Sequence, residues 1–235
     1  MKYSIVIPAH NEYKSLQILI PELIKVIKDN HRFGQSELIL IDDGSTDKTK
    51  KVIKTYAQKH SFIKPIYLNK RFGQAGCFKA GFAQASGDYI IRMDADLQDN
   101  PQDLKLFYQS FKEGADLVVG LRECRQHRRI YRLTTYIYDF LVVLFFNSPL
   151  HASSGSFIGF KAYLVKKIPF VNNDHRYLPL IAIKRGAKNI REVIVRHQSR
   201  RYGHSKYHPV KKLFFGFFEI WRFFWRLKIG YYDID

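Results

Sequence analysis

Two carboxylates and an amide, each separated by one residue, follow a short apolar run near the middle of the chain. The run at residues 89–93 has the length and composition of a buried strand. Asp94, Asp96 and Gln98 come directly after it. Because their oxygens reach the same small volume if the chain turns there, they suit a hard divalent cation that completes its shell with substrate phosphates. The stretch therefore predicts a site for Mg²⁺ or Mn²⁺ and a diphosphate.

Each acidic stretch also has a simpler interpretation. An Asp-X-Asp pair is common in loops, so this pair alone is a weak metal signal. The run at residues 42–47 (DDGSTD) could be an ordinary turn whose polar side chains cap the next helix. Asp42 or Asp43 could instead accept hydrogen bonds from a ribose or a base, as acidic residues do at strand ends in other nucleotide-binding folds.

The elements that must position these side chains alternate along the first half of the chain. Apolar strand patterns occupy residues 3–7, 37–41, 66–68, 89–93 and 116–120. Helical spacing separates them, at residues 16–27, 52–56, 73–85 and 102–113. Such alternation predicts an α/β fold with right-handed crossovers and a mostly parallel sheet.

The polar clusters of the first half all stand where a predicted strand ends. Asn11 and Glu12 follow the first strand, Asp42 and Asp43 the second, and the Asp94 stretch the fourth. Because ligands of open α/β sheets bind outside the carboxyl ends of the strands, these clusters predict one shared site.

Positive charge is concentrated in the second half. Residues 1–121 hold 17 Lys and Arg against 14 Asp and Glu, whereas residues 122–235 hold 22 against 7. Aromatic residues also become more frequent there. This asymmetry indicates an anionic partner, either a membrane surface or a nucleic acid.

The remaining features exclude several classes of protein. Two cysteines, Cys77 and Cys124, predict neither a disulfide framework nor a cysteine-rich zinc site, and are typical of a cytosolic protein. The apolar run at the N-terminus is too short for a signal peptide. The sequence contains no run of about 18 apolar residues, so we expect no membrane-spanning helix.

Five motifs, in order, resemble glycosyltransferase family 2, and more narrowly the dolichol- or polyprenyl-phosphate sugar synthases. They are residues 7–12 (IPAHNE), 42–47 (DDGSTD), 94–101 (DADLQDNP), 155–157 (GSF) and 200–206 (RRYGHSK). The resemblance covers roughly residues 3–207. It implies a Rossmann-like, nucleotide-sugar-binding fold of the GT-A type with an Asp-X-Asp metal site.

The resemblance also implies roles for individual residues. Metal binding would fall to Asp94, Asp96 and Gln98, and catalysis to Asp96, Arg122, Arg200 and Lys206. The nucleotide sugar would contact Pro8, Ala9, Asn11, Glu12, Ile41, Asp43, Asp94, Ala95 and Arg176. Arg122, Arg200 and Lys206 would face the phosphates.

The C-terminal segment predicts an amphipathic helix over residues 211–228. At 100° per residue one stripe is polar and the opposite side is aromatic. The polar stripe comprises Lys212, Glu219, Arg222 and Arg226, and the aromatic side Phe217, Trp221, Phe224 and Trp225. The pattern favours a helix lying in a membrane interface, although a helix docked on the protein's own core or on a dimer partner would use similar residues. We therefore divide the chain into a GT-A domain at 1–207 and an interfacial helix and tail at 208–235.

The predicted reaction is inverting, metal-dependent transfer of a sugar from a UDP- or GDP-sugar to a polyprenyl phosphate. The protein would sit on the cytoplasmic, inner face of the cell membrane, held by anionic lipid, without binding nucleic acid. One alternative is transfer to a hydroxyl of a membrane glycolipid or polysaccharide, with Asp174 as base. A non-enzyme alternative is a basic module that binds nucleic acid or membrane, which leaves the acidic strand ends unexplained.

Overall fold

The computed structural model describes residues 1–31, 34–122, 145–146, 150, 155–171, 173–198 and 209–234, with the backbone alone for 209–217. Its strands are β1 (Lys2–Ala9), β2 (Gln35–Asp43), β3 (Ile63–Leu68), β4 (Tyr89–Arg92), β5 (Leu117–Arg122), β6 (Ile158–Lys161) and β7 (Ile190–Val195). Its α-helices are α1 (Tyr13–Asp29), α2 (Thr49–Lys59), α3 (Gly73–Gln84), α4 (Leu104–Lys112), α5 (Leu178–Lys184) and α6 (Pro209–Lys228). Three short 3₁₀ helices lie at Pro101–Asp103, Ala162–Leu164 and Asp174–Arg176.

The strands form one seven-stranded sheet in the order β3-β2-β1-β4-β6-β5-β7. Strand β6 runs antiparallel to both of its neighbours, and the other pairings are parallel. The prediction of an α/β fold with a mostly parallel sheet is confirmed. Strands β6 and β7, which lie in the second half, were not predicted.

Helices cover both faces of the sheet, and this explains why the central strands are apolar on both sides. In β2, Ile39 and Ile41 pack into one hydrophobic core, whereas Leu38 and Leu40 pack into the other. Helix α1 contributes its apolar stripe to the second core, and α3 packs its buried phenylalanines into the first.

The amino edge of the sheet, where the parallel strands begin, carries buried carboxylates with several hydrogen bonds. Glu37 Oε1 accepts from the Ser4 hydroxyl at 2.6 Å and from the amide and hydroxyl of Ser86 at 2.7 and 2.8 Å. Burial opposes ionisation of Glu37, but these hydrogen bonds outweigh it and lower its pKa. Asp116 accepts from the backbone amides of Lys188 and Asn189 and pairs with Lys161.

The C-terminal helix α6 docks on the domain through its described residues. Ile220 and Phe223 are fully buried in the same core as α3 and α5. The Phe223 ring stacks on Tyr177 with centroids 4.2 Å apart, and Tyr232 follows the helix into this core. The inner side of α6 is therefore part of the packing of residues 155–198, and the domain boundary at 207/208 stays a prediction.

The polar residues of α6 also contact the domain. Glu219 accepts from Arg176 at 3.1 Å, and Arg226 donates to the buried Asp174 at 2.5 Å. Trp221 and Trp225 remain 44% and 50% exposed. Two members of the predicted polar stripe thus anchor the helix, whereas two tryptophans of the predicted aromatic side face solvent. None of the helices in the described ranges is both long and apolar enough to span a membrane.

Candidate active site

The carboxyl ends of the parallel strands bring the predicted clusters to one edge of the sheet. Strand β1 lies between β2 and β4, with Ala9 in register with Asp42 and Val6 in register with Arg92. The loops that follow these three strands carry Asn11, the DDGSTD run and the acidic stretch. This register brings the three clusters to one edge of the sheet, and the shared site predicted from them stays a prediction.

The acidic stretch turns sharply just beyond β4. Leu97 adopts φ +64°, a left-handed conformation that is uncommon for a branched side chain and costs about 1–3 kcal/mol. The backbone amide of Gln98 donates to Asp96 Oδ1 at 3.1 Å. The side chain of Asp96, one of the predicted metal ligands, therefore closes the turn. Asp94 accepts a long hydrogen bond of 3.4 Å from Gln74 Nε2 on α3.

Negative charge accumulates around Asp94. The pKa of this carboxyl is raised to about 7, mainly by desolvation and also by the neighbouring Asp99 and Asp96, although the positive charges of Arg92 and Arg122 oppose the rise. A carboxyl group in this condition gains from any cation placed beside it. Perturbation of this kind in a cleft is typical of functional sites.

The donor set fits a hard divalent cation only with help from a ligand. Among the described residues, no group of three or more His, Cys, Asp or Glu side chains could hold a metal by itself. Asp94, Asp96 and Gln98 supply two carboxylates and one amide, all with oxygen donors. Mg²⁺ and Mn²⁺ accept such oxygen sets and take further oxygens from water and phosphate.

Asn11 is used to join two loops. It adopts φ +58°, and its side-chain oxygen accepts from the Thr46 amide at 2.9 Å. The backbone amide of Asn11 donates to Ser45 Oγ, and the backbone amide of Glu12 donates to Thr49 Oγ1. These contacts fix the loop after β1 against the start of α2 and set the shape of the edge beside it.

Asp43 has a structural role at this edge. Its two carboxylate oxygens accept from the backbone amides of Phe72 at 2.6 Å and Gly73 at 2.9 Å, at the start of α3. Both of its oxygens therefore hold protein backbone. The predicted contact of Asp43 with a ribose or base stays a prediction.

The apolar members of the predicted nucleotide pocket differ in exposure. The side chain of Ile41 is fully buried and packs in the core near Gly81 of α3. Ala9 and Ala95 are also buried, whereas Pro8 is partly exposed. Ile41 is thus a core residue beneath the carboxyl edge. A nucleotide bound at Ile41, Ala9 or Ala95 would contact the backbone, whereas at Pro8 it could also contact the side chain.

The predicted basic residues are placed differently from one another. Arg122, at the end of β5, donates to the Ser156 hydroxyl at 2.8 Å, and its charge reaches Asp94. Arg176 forms an ion pair with Glu219 of α6, so its guanidinium is engaged by the C-terminal helix. Arg200 and Lys206 lie outside the described residues. Gln198 lies two positions before Arg200, and its backbone amide donates to the backbone carbonyl of Gln98 at 2.9 Å.

Asp174, the predicted base for a hydroxyl acceptor, holds the C-terminal segment. It is buried, and its carboxylate accepts from the Val171 amide, Tyr232 Oη and Arg226. Both oxygens are already engaged. These contacts make Asp174 a structural residue at the start of a short helical turn.

Sequence reasoning missed Arg92, Ser156 and Asp99. The Arg92 guanidinium is buried, donates to the carbonyls of Ser156 at 3.1 Å and His175 at 2.6 Å, and lies 4.5 Å from the Phe78 ring centroid. An arginine within the otherwise apolar strand at residues 89–93 was the signal for it. Ser156 and Asp99 stand inside two of the five motifs, but no role was predicted for either side chain.

Comparison with known proteins gives the family of the chain. Residues 4–169 match the family model described as glycosyl transferase family 2. The chain is 31% identical over 219 residues to the undecaprenyl-phosphate 4-deoxy-4-formamido-L-arabinose transferase of Photorhabdus laumondii, and 30% identical over 211 residues to the enzyme of that name from Proteus mirabilis. Each alignment covers 89% of this chain and 64% of the relative. The chain therefore spans less than two thirds of the length of these curated relatives.

Solved structures share the fold. The glucosyl-3-phosphoglycerate synthase of Mycobacterium tuberculosis, in complex with Mn²⁺, UDP and phosphoglyceric acid, matches with a TM-score of 0.67 at 19% identity, over 90% of this chain and 73% of that one. Staphylococcus aureus TarS, in complex with UDP-GlcNAc, matches with a TM-score of 0.63 at 17% identity, over 92% of this chain and 64% of that one. The fold, the family model and the relatives agree with the resemblance carried by the five motifs, and the chain belongs to glycosyl transferase family 2.

Proposed function

We propose that the protein transfers a sugar from a nucleoside diphosphate sugar to a polyprenyl phosphate, with inversion at the anomeric carbon. The observation that carries the proposal is the acidic stretch at Asp94 and Asp96, at the carboxyl edge between β1 and β6, with Arg122 nearby. The names of the curated relatives, which act on undecaprenyl phosphate, support the choice of acceptor.

The charges of the site match the charges of the reaction. A phosphate oxygen of the acceptor attacks the anomeric carbon, the bond from that carbon to the diphosphate oxygen breaks, and its electron pair leaves with the nucleoside diphosphate. Arg122, and by proposal Arg200 and Lys206, stabilise the negative charge on the phosphates. Because a phosphate acceptor is already anionic at pH 7, no strong general base is needed and positioning supplies much of the rate.

A divalent cation would be held by Asp94, Asp96 and Gln98. When bound, it would neutralise charge on the leaving diphosphate. The raised pKa of Asp94 supports this assignment, because a nearby cation would stabilise a carboxylate that is desolvated and lies close to Asp99 and Asp96. The Mn²⁺ and UDP in the mycobacterial enzyme of the same fold also support a divalent ion, with Mg²⁺ and Mn²⁺ both to be tested.

The direct test is incubation with a panel of UDP- and GDP-sugars, Mn²⁺ or Mg²⁺, and undecaprenyl phosphate. We expect one donor to yield a sugar-phosphate lipid, detected by mass spectrometry, and we expect EDTA to abolish its formation. Transfer to a lipid or polysaccharide hydroxyl with no product on undecaprenyl phosphate would contradict the proposed acceptor. Retention on nucleic acid without any nucleotide-sugar binding would contradict the enzyme assignment.

We further propose that the exposed side of α6 holds the protein on the inner face of the membrane. Trp221 and Trp225 project from the helix together with Phe218, while Arg222 and Lys228 are exposed near them. Aromatic side chains beside basic ones are the composition of helices that lie in a bilayer interface and bind anionic lipid. The inner side of the helix is used for docking, so the membrane would meet only its outer side.

Substitution at the surface tests this attachment better than truncation. Deleting residues 208–235 would remove Phe223 and Tyr232 from the core, so loss of binding could reflect unfolding. The double variant Trp221→Ser/Trp225→Ser is expected to lower partition onto phosphatidylglycerol vesicles by about tenfold or more. Tyr163→Ser, at an exposed aromatic residue outside α6, is the control. Unchanged partition of the double variant would contradict the assignment of this surface.

A further inference from the structure

Ser156 connects Arg122, which we propose faces the phosphates, to the buried carboxylate of Asp99. The Ser156 hydroxyl accepts from Arg122 Nη2 at 2.8 Å and donates to Asp99 Oδ2 at 2.8 Å. Ser156 is only 7% exposed and Asp99 only 2% exposed. Because the single hydroxyl proton goes to the carboxylate, the lone pairs of the hydroxyl are turned toward the arginine.

The backbone around this serine is also held in place. Its carbonyl accepts from Arg92 Nε at 3.1 Å, and the adjacent Phe157 ring stacks on Phe107 of α4 with centroids 4.3 Å apart. Strand β6 begins directly after Phe157. The contacts of the Ser156 carbonyl and of the Phe157 ring therefore hold the Ser156 hydroxyl in one position at the carboxyl edge of the sheet.

Asp99 also ties two segments of the site together. It forms an isolated antiparallel bridge with His197, whose Nδ1 lies 3.8 Å from Asp99 Oδ1. The neighbouring Gln198 amide donates to the Gln98 carbonyl. The acidic stretch and the segment after β7 therefore meet at Asp99, and Ser156 links this carboxylate to Arg122 at the end of β5.

We propose that Ser156 and Asp99 are positioning residues that hold the Arg122 guanidinium in place for the donor diphosphate. This inference rests on the proposed function. A free arginine side chain loses rotamer entropy when it is fixed, and a hydrogen bond made before the ligand arrives removes part of that cost from binding. The Ser156 hydroxyl lies between Arg122 and Asp99 and anchors the guanidinium. Because Arg122 forms no direct ion pair with Asp99, a phosphate does not have to displace a carboxylate in order to bind the guanidinium.

A double-mutant cycle on Ser156 and Arg122 tests the inference. The Kd values of UDP and GDP with Mn²⁺ are measured by calorimetry, and kcat and KM for the productive donor are measured in parallel. Ser156→Ala is expected to weaken binding of the preferred nucleoside diphosphate about tenfold and to lower kcat about 10- to 100-fold. In an Arg122→Gln background the same change is expected to have less than about a twofold effect, because both substitutions remove one interaction.

Matched variants separate positioning from folding. Ser110→Ala removes a buried hydroxyl that donates to the Leu106 carbonyl within α4, and it should leave binding and turnover unchanged. Ser156→Thr keeps the hydroxyl and should retain most of the affinity. Asp99→Asn keeps an acceptor for the serine and should lose less than Asp99→Ala.

Three results would overturn the inference. The first is an equal effect of Ser156→Ala with and without Arg122, and the second is unchanged binding and turnover in Ser156→Ala. The third is a wild type that binds neither UDP nor GDP, which would also refute the proposed donor. A wild type that binds a nucleoside diphosphate with the expected cycle, but makes no product on polyprenyl phosphate, would refute the proposed acceptor and support the inference.

Discussion

At the amino edge of the sheet Glu37 accepts three short hydrogen bonds, whereas at the carboxyl edge Asp94 accepts a bond of 3.4 Å from the exposed Gln74. Glu37 lies in β2 and Asp94 follows β4, and these two strands flank β1 in the same sheet. Hydrogen bonding lowers the pKa of Glu37 against the effect of burial, but burial and two nearby aspartates raise the pKa of Asp94 to about 7. The fold thus supplies short hydrogen bonds to Glu37, whereas the hydrogen bond described for Asp94 is a long one.

We infer from this difference that Glu37 contributes stability and that Asp94 belongs to the proposed site. A carboxylate with all its partners supplied by the fold stabilises the native state. A carboxylate crowded by others costs stability until a ligand relieves it, and such sites are where binding takes place. Four substitutions test this comparison.

The largest expected effect is on turnover, at the carboxyl edge. Asp96→Ala should lower transfer by about 10³-fold, because the metal and diphosphate lose a carboxylate, while the circular dichroism spectrum is preserved. Asp29→Ala, at an exposed position on α1, is the control and should behave as wild type. Wild-type turnover in Asp96→Ala would refute the assignment of the metal site.

The next effect is on stability, at the amino edge. Glu37→Ala leaves the buried Ser4 Oγ and the backbone amide of Ser86 without their acceptor and should cost about 2–3 kcal/mol in the free energy of unfolding. For a chain of this size this lowers Tm by about 5–10 °C in differential scanning calorimetry. Nucleotide affinity measured at low temperature should not change. Glu37→Gln keeps an acceptor and should cost less; equal losses in the two variants would refute the role of the hydrogen bonds.

The third effect has the opposite sign. Asp94→Asn should raise the free energy of unfolding of the metal-free protein by about 1–2 kcal/mol at pH 8, because it removes a desolvated charge beside Asp96 and Asp99. The folded pKa of about 7 lies above the usual value of 3.8, so the wild type loses this stability as pH rises from about 4 to 7.

Thermal melts in EDTA across this pH range check the third prediction. The advantage of Asp94→Asn should vanish near pH 4, where the carboxyl is largely protonated in the folded state and about half protonated in the unfolded state. In the same variant, Mn²⁺ should no longer raise Tm. An Asp94→Asn protein less stable than wild type at pH 8 would show that Asp94 is a structural residue like Glu37.

The smallest effect concerns the ion pair at the amino edge. Lys161 Nζ lies 2.7 Å from Asp116 Oδ1, and the lysine is partly exposed. Lys161→Met should cost less than about 1 kcal/mol, and adding NaCl to about 0.5 M should reduce the difference from wild type. Asp116→Asn, which weakens the acceptor for two backbone amides, should cost more. The reverse order in urea unfolding would show that the ion pair, rather than the backbone hydrogen bonds, stabilises this edge.

Much of the first half could be predicted because its signals are local. The strands at residues 3–7, 37–41 and 89–93 correspond to β1, β2 and β4, since buried parallel strands are short apolar runs bounded by turns. The helical pattern at residues 73–85 corresponds to α3 (Gly73–Gln84). The acidic stretch could be assigned to the edge for the same reason, because the residues after a parallel strand always stand at its carboxyl end.

The second half gave weaker local signals. Strand β6 contains only four residues, and it enters the sheet antiparallel between β4 and β5. No period in the sequence specifies that insertion, because it depends on partners that are distant along the chain. Helix α6 was predicted from its period, but its period did not show that Ile220 and Phe223 would be buried in the domain.

The sequence by itself determined the family, the sheet's parallel part and the place of the acidic stretch after β4, because these depend on motifs and on runs of neighbouring residues. Only the tertiary structure decided how the side chains are used. It turned Asp43 toward the α3 backbone, Asp174 and Arg176 toward α6, and Ser156 toward Arg122 and Asp99. Hydrogen bonds between residues that are far apart in the chain form only after the sheet and helices have packed, and no local pattern encodes them.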